Sequence, residues 1–225
     1  MVRGIKIAID GPAAAGKSTI AKITAEKLGY TYIDTGAMYR ALTHKALGLD
    51  IHTNDGVKLE ELLRNTKIVL VPTNDGQAII VDDKDVSEEI RSQEVTQAVS
   101  AVATHNGVRK LMVEKQRNLS DDSGVVMDGR DIGTDVLPDA QLKIFMTASV
   151  DERAQRRQDE NVKRGIISSF ENLKLEISER DRADTEREIS PLRQADDAVF
   201  IDTTSLSIVE VAEKISRLAK ERLNQ

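Results

Sequence analysis

The pattern G-x-x-x-x-G-K-[ST] at residues 11–18 constrains this chain more than any other feature of its sequence. The matching residues follow a β-branched apolar run at residues 5–9 and precede residues 17–28, where apolar side chains recur at helical spacing until Gly29. Glycines in such a turn let successive backbone N–H groups face a polyphosphate, and the start of the helix adds partial positive charge. The order strand, glycine loop, helix predicts a βα unit that binds nucleotide phosphates.

Each position of this loop has an expected part in holding the nucleotide. We expect Lys17 to reach the outer phosphates as a catalytic cation and the Ser18 hydroxyl to ligate Mg²⁺. The alternative is a loop of small residues that only packs a helix on a sheet, and the flanking strand and helix disfavour it. The residues that we expect to contact the nucleotide are Gly11, Pro12, Ala13, Ala14, Ala15, Gly16, Lys17, Ser18 and Thr19.

Strands and helices alternate along most of the chain. Besides residues 5–9, the runs at 30–34, 124–128, 142–146 and 198–202 read as core strands, and each is followed by a candidate helix. Serine followed three residues later by glutamate predicts capping boxes that open helices at Ser149 and Ser207. The fold class expected from this alternation is α/β: a five-stranded parallel sheet of the P-loop NTPase type with helices on both faces.

One region interrupts the alternation. Residues 68–71 and 78–81 are β-rich and are separated by a turn-like segment at 72–77, which predicts a hairpin. A helical stretch follows at residues 93–119, and the sequence His-Asn-Gly at 105–107 divides it into two helices. We therefore expect a single domain over 1–225, with a core at about 1–58, 106–150 and 190–225, an inserted subdomain at about 59–105, and further helices at about 151–189.

Composition excludes several classes of function. The chain has 32 Lys and Arg against 38 Asp and Glu, a net charge of −6, and three Phe, three Tyr and no Trp, so it is poorly suited to bind a polynucleotide. It has no cysteine, which removes thiol chemistry and cysteine-bound metals. No apolar run reaches the roughly 18 residues of a membrane span, and no signal-peptide layout is present. We expect a cytoplasmic protein that binds neither membranes nor nucleic acids.

A phosphate loop does not by itself say what is done with the nucleotide. A regulatory GTPase would carry the guanine-reading segment [NT]-K-x-D, which does not occur, and the D-x-x-G match at residues 121–124 lies before a strand rather than after it. The small chain with many arginines of its own favours a phosphotransferase. A nucleotide-dependent switch remains the alternative from another class.

Polar residues gather where the predicted strands end, which is the edge at which doubly wound sheets bind ligands. Asp128 ends the third core strand, and as a carboxylate opposite Ser18 it would hold the water shell of Mg²⁺. Arginines there would position phosphates and neutralise charge on the transferred group. The residues at this edge are Thr35, Tyr39, Arg40, Asp128, Gly129, Arg130 and Asp131.

Two further predicted helices carry arginines. Arg180, Asp184 and Arg187 share one face of a helix by their i, i+4 and i+7 spacing. The helix before it carries Arg153, Arg156 and Arg157. Acidic and basic residues are nearly balanced over this region, so a solvated pair of salt-bridged helices is the alternative for any single arginine.

Four segments together resemble the bacterial cytidylate kinase family: GPAAAGKS at 11–18, DTGAMYR at 34–40, DGRDIGT at 128–134 and RDRADTER at 180–187. The resemblance covers nearly the whole chain. It implies transfer of the γ-phosphoryl group of ATP to CMP or dCMP with Mg²⁺, in a monomer whose insert binds the acceptor. Kinases of other small acceptors, such as AMP, UMP or shikimate, are the alternatives within the class.

The resemblance also implies individual roles around the acceptor. Residues matching Arg40, Arg130 and Arg187 would hold the acceptor phosphate or the transferred group. Residues matching Arg180 and Asp184 would bind the pentose hydroxyls.

Base recognition and lid closure are implied in the same way. Cytosine would be read by the residues matching Ser100, Arg109 and Asp131. Those matching Arg153 and Arg157 would belong to a short helical lid that excludes water from the donor site.

Overall fold

The computed structural model describes residues 4–73, 76–120 and 124–224 of the chain. Its strands, in chain order, are β1 (Lys6–Asp10), β2 (Thr31–Asp34), β3 (Ile68–Thr73), β4 (Gly76–Val81), β5 (Lys84–Asp85), β6 (Val125–Gly129), β7 (Leu142–Thr147) and β8 (Val199–Asp202). Its α-helices are α1 (Lys17–Leu28), α2 (Thr35–Gly48), α3 (Gly56–Arg64), α4 (Gln93–Val102), α5 (Asn106–Arg117), α6 (Val150–Lys163), α7 (Phe170–Glu186) and α8 (Ile208–Leu223).

The predicted five-stranded parallel sheet is confirmed, with strand order β2-β6-β1-β7-β8. The central strand β1 is apolar because it is covered on both faces: Ile7 and Ile9 pack with α1 and α8 on one side, and Ala8 packs with Ile33 and Met127 on the other. The parallel register brings the carboxyl ends of β1, β2 and β6 to the same edge, so the loops that follow them meet there.

The segment between β6 and β7 corrects one expectation. A helix was predicted after each core strand, but after β6 the chain makes only a π turn at Ile132–Val136. β6 and β7 lie on either side of β1, so this connection has only residues 130–141 in which to cross one strand. Pro138 stands two residues after the turn and cannot extend a helix, because it lacks a backbone N–H.

The inserted region is a second, smaller sheet with helices. β3 and β4 form the predicted antiparallel hairpin, but their pairing extends to Pro72 with Gln77 and Thr73 with Gly76, so the turn is shorter than the six residues predicted; its residues 74–75 lie outside the described part. The third strand, β5, and the helix α3 were not predicted. α4 and α5 confirm the two helices expected from residues 93–119.

The two predicted capping boxes differ. At Ser207 the box is complete, since its hydroxyl accepts from the backbone N–H of Glu210 and the Glu210 carboxylate accepts from the backbone N–H of Ser207. At Ser149 only the first half forms, because the Glu152 carboxylate instead pairs with Arg156 at 2.9 Å. In the described ranges no helix is long and apolar enough to cross a bilayer.

Candidate active site

The carboxyl edge of the sheet opens into a cleft of about 600 Å³ between the core, the insert and the helices α6 and α7. Most of the site residues predicted from the sequence line it. They are Ala13, Ala14, Ala15, Gly16, Lys17, Ser18, Thr19, Thr35, Tyr39, Arg40, Ser100, Arg109, Asp128, Gly129, Arg130, Asp131, Arg157, Arg180, Asp184 and Arg187.

The loop of residues 11–16 is shaped by close packing on the sheet. Gly11 has φ 149°, and a Cβ there would lie 1.9 Å from the backbone oxygen of Met146, so no other residue fits. Gly16 is the N-cap residue immediately before α1 and has a left-handed backbone, with φ 84°. Because glycine has no side chain, the first N–H groups of the helix have no side-chain cap. Such free N–H groups at a helix start favour a bound phosphate.

Lys17 follows this loop as a largely buried residue that lines the cleft, and its Nζ donates to the backbone oxygen of Pro12 at 2.7 Å. Burial and the nearby Arg130 guanidinium lower its pKa. Both effects penalise the protonated lysine in the ligand-free protein, and a polyanion beside it would relieve that penalty.

Asp128 is the penultimate residue of β6 and lies beside the first turn of α1. Its Oδ2 accepts from the Ser18 hydroxyl at 2.8 Å, and its Oδ1 accepts from the Tyr32 hydroxyl at 2.9 Å. Burial and the Asp34 carboxylate raise the pKa of Asp128. The Ser18 hydroxyl and the Asp128 carboxylate thus offer two hard oxygen ligands in a buried site, and Mg²⁺ prefers ligands of this kind.

Within the described residues, no group of three His, Cys, Asp or Glu side chains is placed so that it could hold a metal ion.

A cluster of arginines faces the phosphate loop across the cleft. Arg130 Nε donates to Asp184 Oδ2 at 2.8 Å, and Arg187 lies 3.6 Å from the same carboxylate. Burial and Arg130 lower the pKa of Arg180 to about 9, and burial and Arg157 lower that of Arg40 to about 10. The cations outnumber the carboxylates that face them, so this part of the cleft suits phosphate groups.

A buried ion pair contributes to the lining of the cleft. Arg109 pairs with Asp131 and is only 2% exposed, and it also donates to the backbone oxygen of Ala103 at 3.1 Å. The Arg109 guanidinium lies 5.7 Å from the centre of the Tyr39 ring, and Arg187 approaches Asp131 to 3.7 Å. Guanidinium and carboxylate groups at one wall offer both donors and acceptors to a planar base.

Asp10 holds the loop that carries Asp131. Its two carboxylate oxygens accept from the successive backbone N–H groups of Ile132 and Gly133 at 2.8 and 2.7 Å. We did not single out Asp10 from the sequence, although a carboxylate at the end of a buried apolar strand is a signal that would have found it.

Arg153 does not line the cleft. It lies behind the phosphate loop, where its Nε donates to the backbone oxygen of Ala148, its Nη1 donates to that of Ala13 at 3.1 Å, and its Nη2 pairs with Asp181. Gly11 and Pro12 likewise lie behind the lining residues of the loop. Arg157, one turn further along α6, does face the cleft.

Arg187 lies beyond the helix on which we placed it. α7 ends at Glu186, and Arg187 follows with extended backbone angles, φ −63° and ψ 142°. Its Nε donates to the backbone oxygen of Ser190 at 2.6 Å, which turns the chain out of the helix. The predicted shared face therefore holds for Arg180 and Asp184, whereas Arg187 reaches Asp184 from the segment after the helix.

Several cleft residues were missed in the sequence, because their positions depend on tertiary packing rather than on a motif. They include Lys22, Tyr32, Gln77, Arg91 and Arg164. Arg156, one of the candidate arginines of the sequence, does not line the cleft; it donates to the backbone oxygens of Ala15 and Thr203 next to the phosphate loop.

The whole length of the chain resembles proteins of one family. The family model described as cytidylate kinase matches residues 7–221. The cytidylate kinase of Geobacillus kaustophilus (strain HTA426) is 58% identical over 223 residues, which cover 99% of this chain and 100% of that protein. The cytidylate kinase of Bacillus subtilis (strain 168) is 56% identical over 222 residues, 99% of each chain.

A likeness to a solved structure concerns the fold alone. The crystal structure of an uncharacterized protein from Eubacterium ventriosum ATCC 27560 superposes with a TM-score of 0.53 at 12% identity, over 97% of this chain and 99% of that one.

Proposed function

This chain belongs to the cytidylate kinase family, and from that premise we propose that its cleft transfers the γ-phosphoryl group of ATP to CMP or dCMP, giving CDP or dCDP and ADP. The observation that carries the proposal is the layout of one cleft. The phosphate loop, the buried Arg109–Asp131 pair and a cluster of arginines all line this one cleft.

The donor phosphates fit the loop and the start of α1. Backbone N–H groups there and Lys17 would bind the β- and γ-phosphates. Ser18 and Asp128 would hold Mg²⁺, which supplies charge neutralisation on the phosphate oxygens when bound. Arg153 would act through the loop, since it holds the backbone oxygen of Ala13.

The acceptor fits the other residues that line the cleft. Arg40, Arg130 and Arg187 would hold its phosphate in line with the donor, and Arg180 and Asp184 would bind its pentose. The exocyclic amine of cytosine donates to a carboxylate or hydroxyl, and its N3 and O2 accept from a guanidinium. Asp131, Ser100 and Arg109 supply those groups.

Transfer needs no covalent intermediate with the protein. The two polyanions repel each other, so the arginines lower the barrier by holding them together and by stabilising charge on the transferred group. Arg157 on α6 would close over the donor and keep water out.

We also propose a cytoplasmic monomer. ATP and nucleoside monophosphates are cytoplasmic metabolites, and the chain has no cysteine that would call for an oxidising compartment.

The direct test is the rate of ADP formation from ATP and Mg²⁺ with CMP, dCMP, UMP, AMP, GMP and shikimate offered separately, against a blank without acceptor. We expect turnover to concentrate on CMP and dCMP. Turnover on another acceptor alone would contradict the proposed base site, and equal slow hydrolysis in every sample would favour the nucleotide-dependent switch.

A further inference from the structure

Strand β2 lies at the edge of the central sheet, next to the insert. The backbone N–H of Thr31 bonds to the oxygen of Gly124 on the β6 side. Because backbone polar groups of successive strand residues point to alternate sides, Tyr32 and Asp34 direct theirs to the open edge. Such groups at a sheet edge need partners from elsewhere in the molecule.

The side chain of Gln77 supplies partners for both. Its Nε2 donates to the backbone oxygen of Tyr32 at 2.5 Å, and its Oε1 accepts from the backbone N–H of Asp34 at 3.2 Å. A primary amide carries one donor and one acceptor side by side, as a peptide unit does. Gln77 therefore takes the place that one residue of a sixth parallel strand would occupy on β2.

Gln77 belongs to β4 of the insert, not to the core sheet. Further along β4, Ile79 and Val81 are buried against Ala37 and Ala41 of α2. The hairpin is thus attached to the core by apolar packing at one end of β4 and by the Gln77 amide at the other, and Gln77 also lines the cleft.

The two backbone groups that Gln77 holds belong to residues beside the proposed metal and acceptor sites. The Tyr32 hydroxyl donates to Asp128 at 2.9 Å. The Asp34 carboxylate caps α2 by accepting from the N–H of Ala37 at 2.8 Å, and α2 carries Arg40. A shift of the hairpin on β2 would change the distance between the insert and these groups.

We propose that Gln77 is a positioning residue that fixes the insert on the edge of the core sheet and so sets the width of the acceptor side of the cleft. The effect of this positioning on the reaction rests on the proposed function. In this role Gln77 acts through its hydrogen bonds to β2.

The variant Gln77→Leu removes both hydrogen bonds at nearly constant volume, and Gln77→Glu keeps the acceptor but loses the donor. A matched control is Gln141→Leu. The Gln141 side chain also bonds to the backbone of a core strand, with Oε1 accepting from the N–H of Lys6 at 2.8 Å, but Gln141 is not among the residues that line the cleft.

The structural readouts do not depend on activity. Amide hydrogen exchange reports on the N–H of Asp34. Because the chain has no cysteine, spin labels at Lys84→Cys on β5 and Lys220→Cys on α8, both exposed, measure the distance from insert to core. The kinetic readout is the KM for CMP compared with that for ATP.

For Gln77→Leu we expect exchange at Asp34 to speed up about tenfold or more, since two hydrogen bonds are lost. We expect a broader label distance and a KM for CMP raised about tenfold, with the KM for ATP within about twofold. Gln77→Glu should show the same changes to a smaller extent, and it carries the test if the leucine variant fails to fold. Gln141→Leu should leave all three readouts unchanged.

Unchanged exchange at Asp34 and an unchanged label distance would overturn the proposal whatever the activity. Faster exchange with an unchanged KM for CMP would also overturn it, because Gln77 would then be a structural contact only. If the unmodified enzyme did not turn over CMP, the proposed function would fail, and the exchange and distance results would still decide whether Gln77 fixes the insert.

Discussion

At the scale of single residues, Lys17 carries the plainest prediction. Lys17 is buried, and its Nζ donates to the backbone oxygen of Pro12. It is the cation of the loop that we expect to contact the γ-phosphoryl group during transfer. Lys17→Ala should lower kcat a hundredfold or more, because charge stabilisation acts mainly in the transition state. Steady-state kinetics and circular dichroism check the rate and the fold. The exposed Lys27→Ala on the same helix is the control, and near-normal turnover of Lys17→Ala would contradict its role.

Asp131 carries a prediction about specificity. Its carboxylate is the proposed acceptor for the cytosine amine, and it also pairs with Arg109. Asp131→Asn should reduce the preference for CMP over UMP at least tenfold, because an amide can serve a base that accepts as well as one that donates. The ratio of kcat/KM for the two nucleotides measures this. Asp139→Asn, an exposed site, is the control, and an unchanged ratio would remove Asp131 from the base site.

Asp10 makes stability depend on pH. Burial raises its pKa to about 6 from an ordinary 3.8, although the N–H groups of Ile132 and Gly133 oppose the shift. A raised pKa in the folded state means that the contribution to stability is present below the ordinary value and is lost as pH rises through about 6.

Denaturant unfolding of the unmodified enzyme and of Asp10→Asn, between pH 4 and pH 7.5, tests this. The free energy of unfolding of the unmodified enzyme should fall relative to the variant by up to about 3 kcal/mol as pH rises. The exposed Asp139→Asn gives the comparison for an ordinary carboxylate. Parallel pH profiles for the enzyme and Asp10→Asn would show that Asp10 does not titrate in this way.

Some residues of the site could be predicted from the sequence, and others could not. The loop, Asp128 and Arg130 follow strands that are readable from their apolar runs, and the parallel register brings them together as expected. The positions of Arg153 and Arg187 depend on which carbonyls a long side chain reaches, and nothing in helical spacing determines that. Gln77 bonds to backbone atoms far away in the chain, so no local pattern marks it.

At the scale of elements, the complete capping box at the start of α8 should matter for stability and not for catalysis. Ser207→Ala removes an acceptor for the N–H of Glu210 and should lower the free energy of unfolding by about 1 kcal/mol. Denaturant unfolding measures the loss, and kcat should stay within about twofold. Ser149→Ala, at a half-formed box, should cost less. A larger loss at Ser149 would contradict this account of the two helix starts.

Elements with strong periodic patterns were predicted well, and short ones were not. α1 was predicted with its observed bounds because Gly29 ends it in the left-handed conformation. β5 has only two residues, too few for a pattern, whereas α3 carries Leu59, Leu62 and Leu63 at helical spacing, a signal that the sequence analysis overlooked. The π turn after β6 depends on the order of the strands in the sheet, and that order could not be predicted from the sequence.

At the scale of the whole molecule, charge is divided unevenly. The chain is acidic, with a net charge of −6, yet the cleft gathers Lys17 and a cluster of arginines. Burial and the repulsion of neighbouring arginines lower the pKa of Arg180 and Arg40 in the ligand-free protein, and the polyanions of two nucleotides would offset both effects. The fold thus holds positive charges close together in the cleft, where the proposed reaction needs them.

The most direct measurement follows the γ-phosphoryl group itself. ATP labelled in its γ-phosphate is incubated with the enzyme, Mg²⁺ and CMP, and the label is traced to CDP or to inorganic phosphate. We predict that nearly all the label moves to CDP, because the arginines hold the acceptor in line and the closed site keeps water out. Label that appears mainly in inorganic phosphate, at a rate that CMP does not change, would contradict the account.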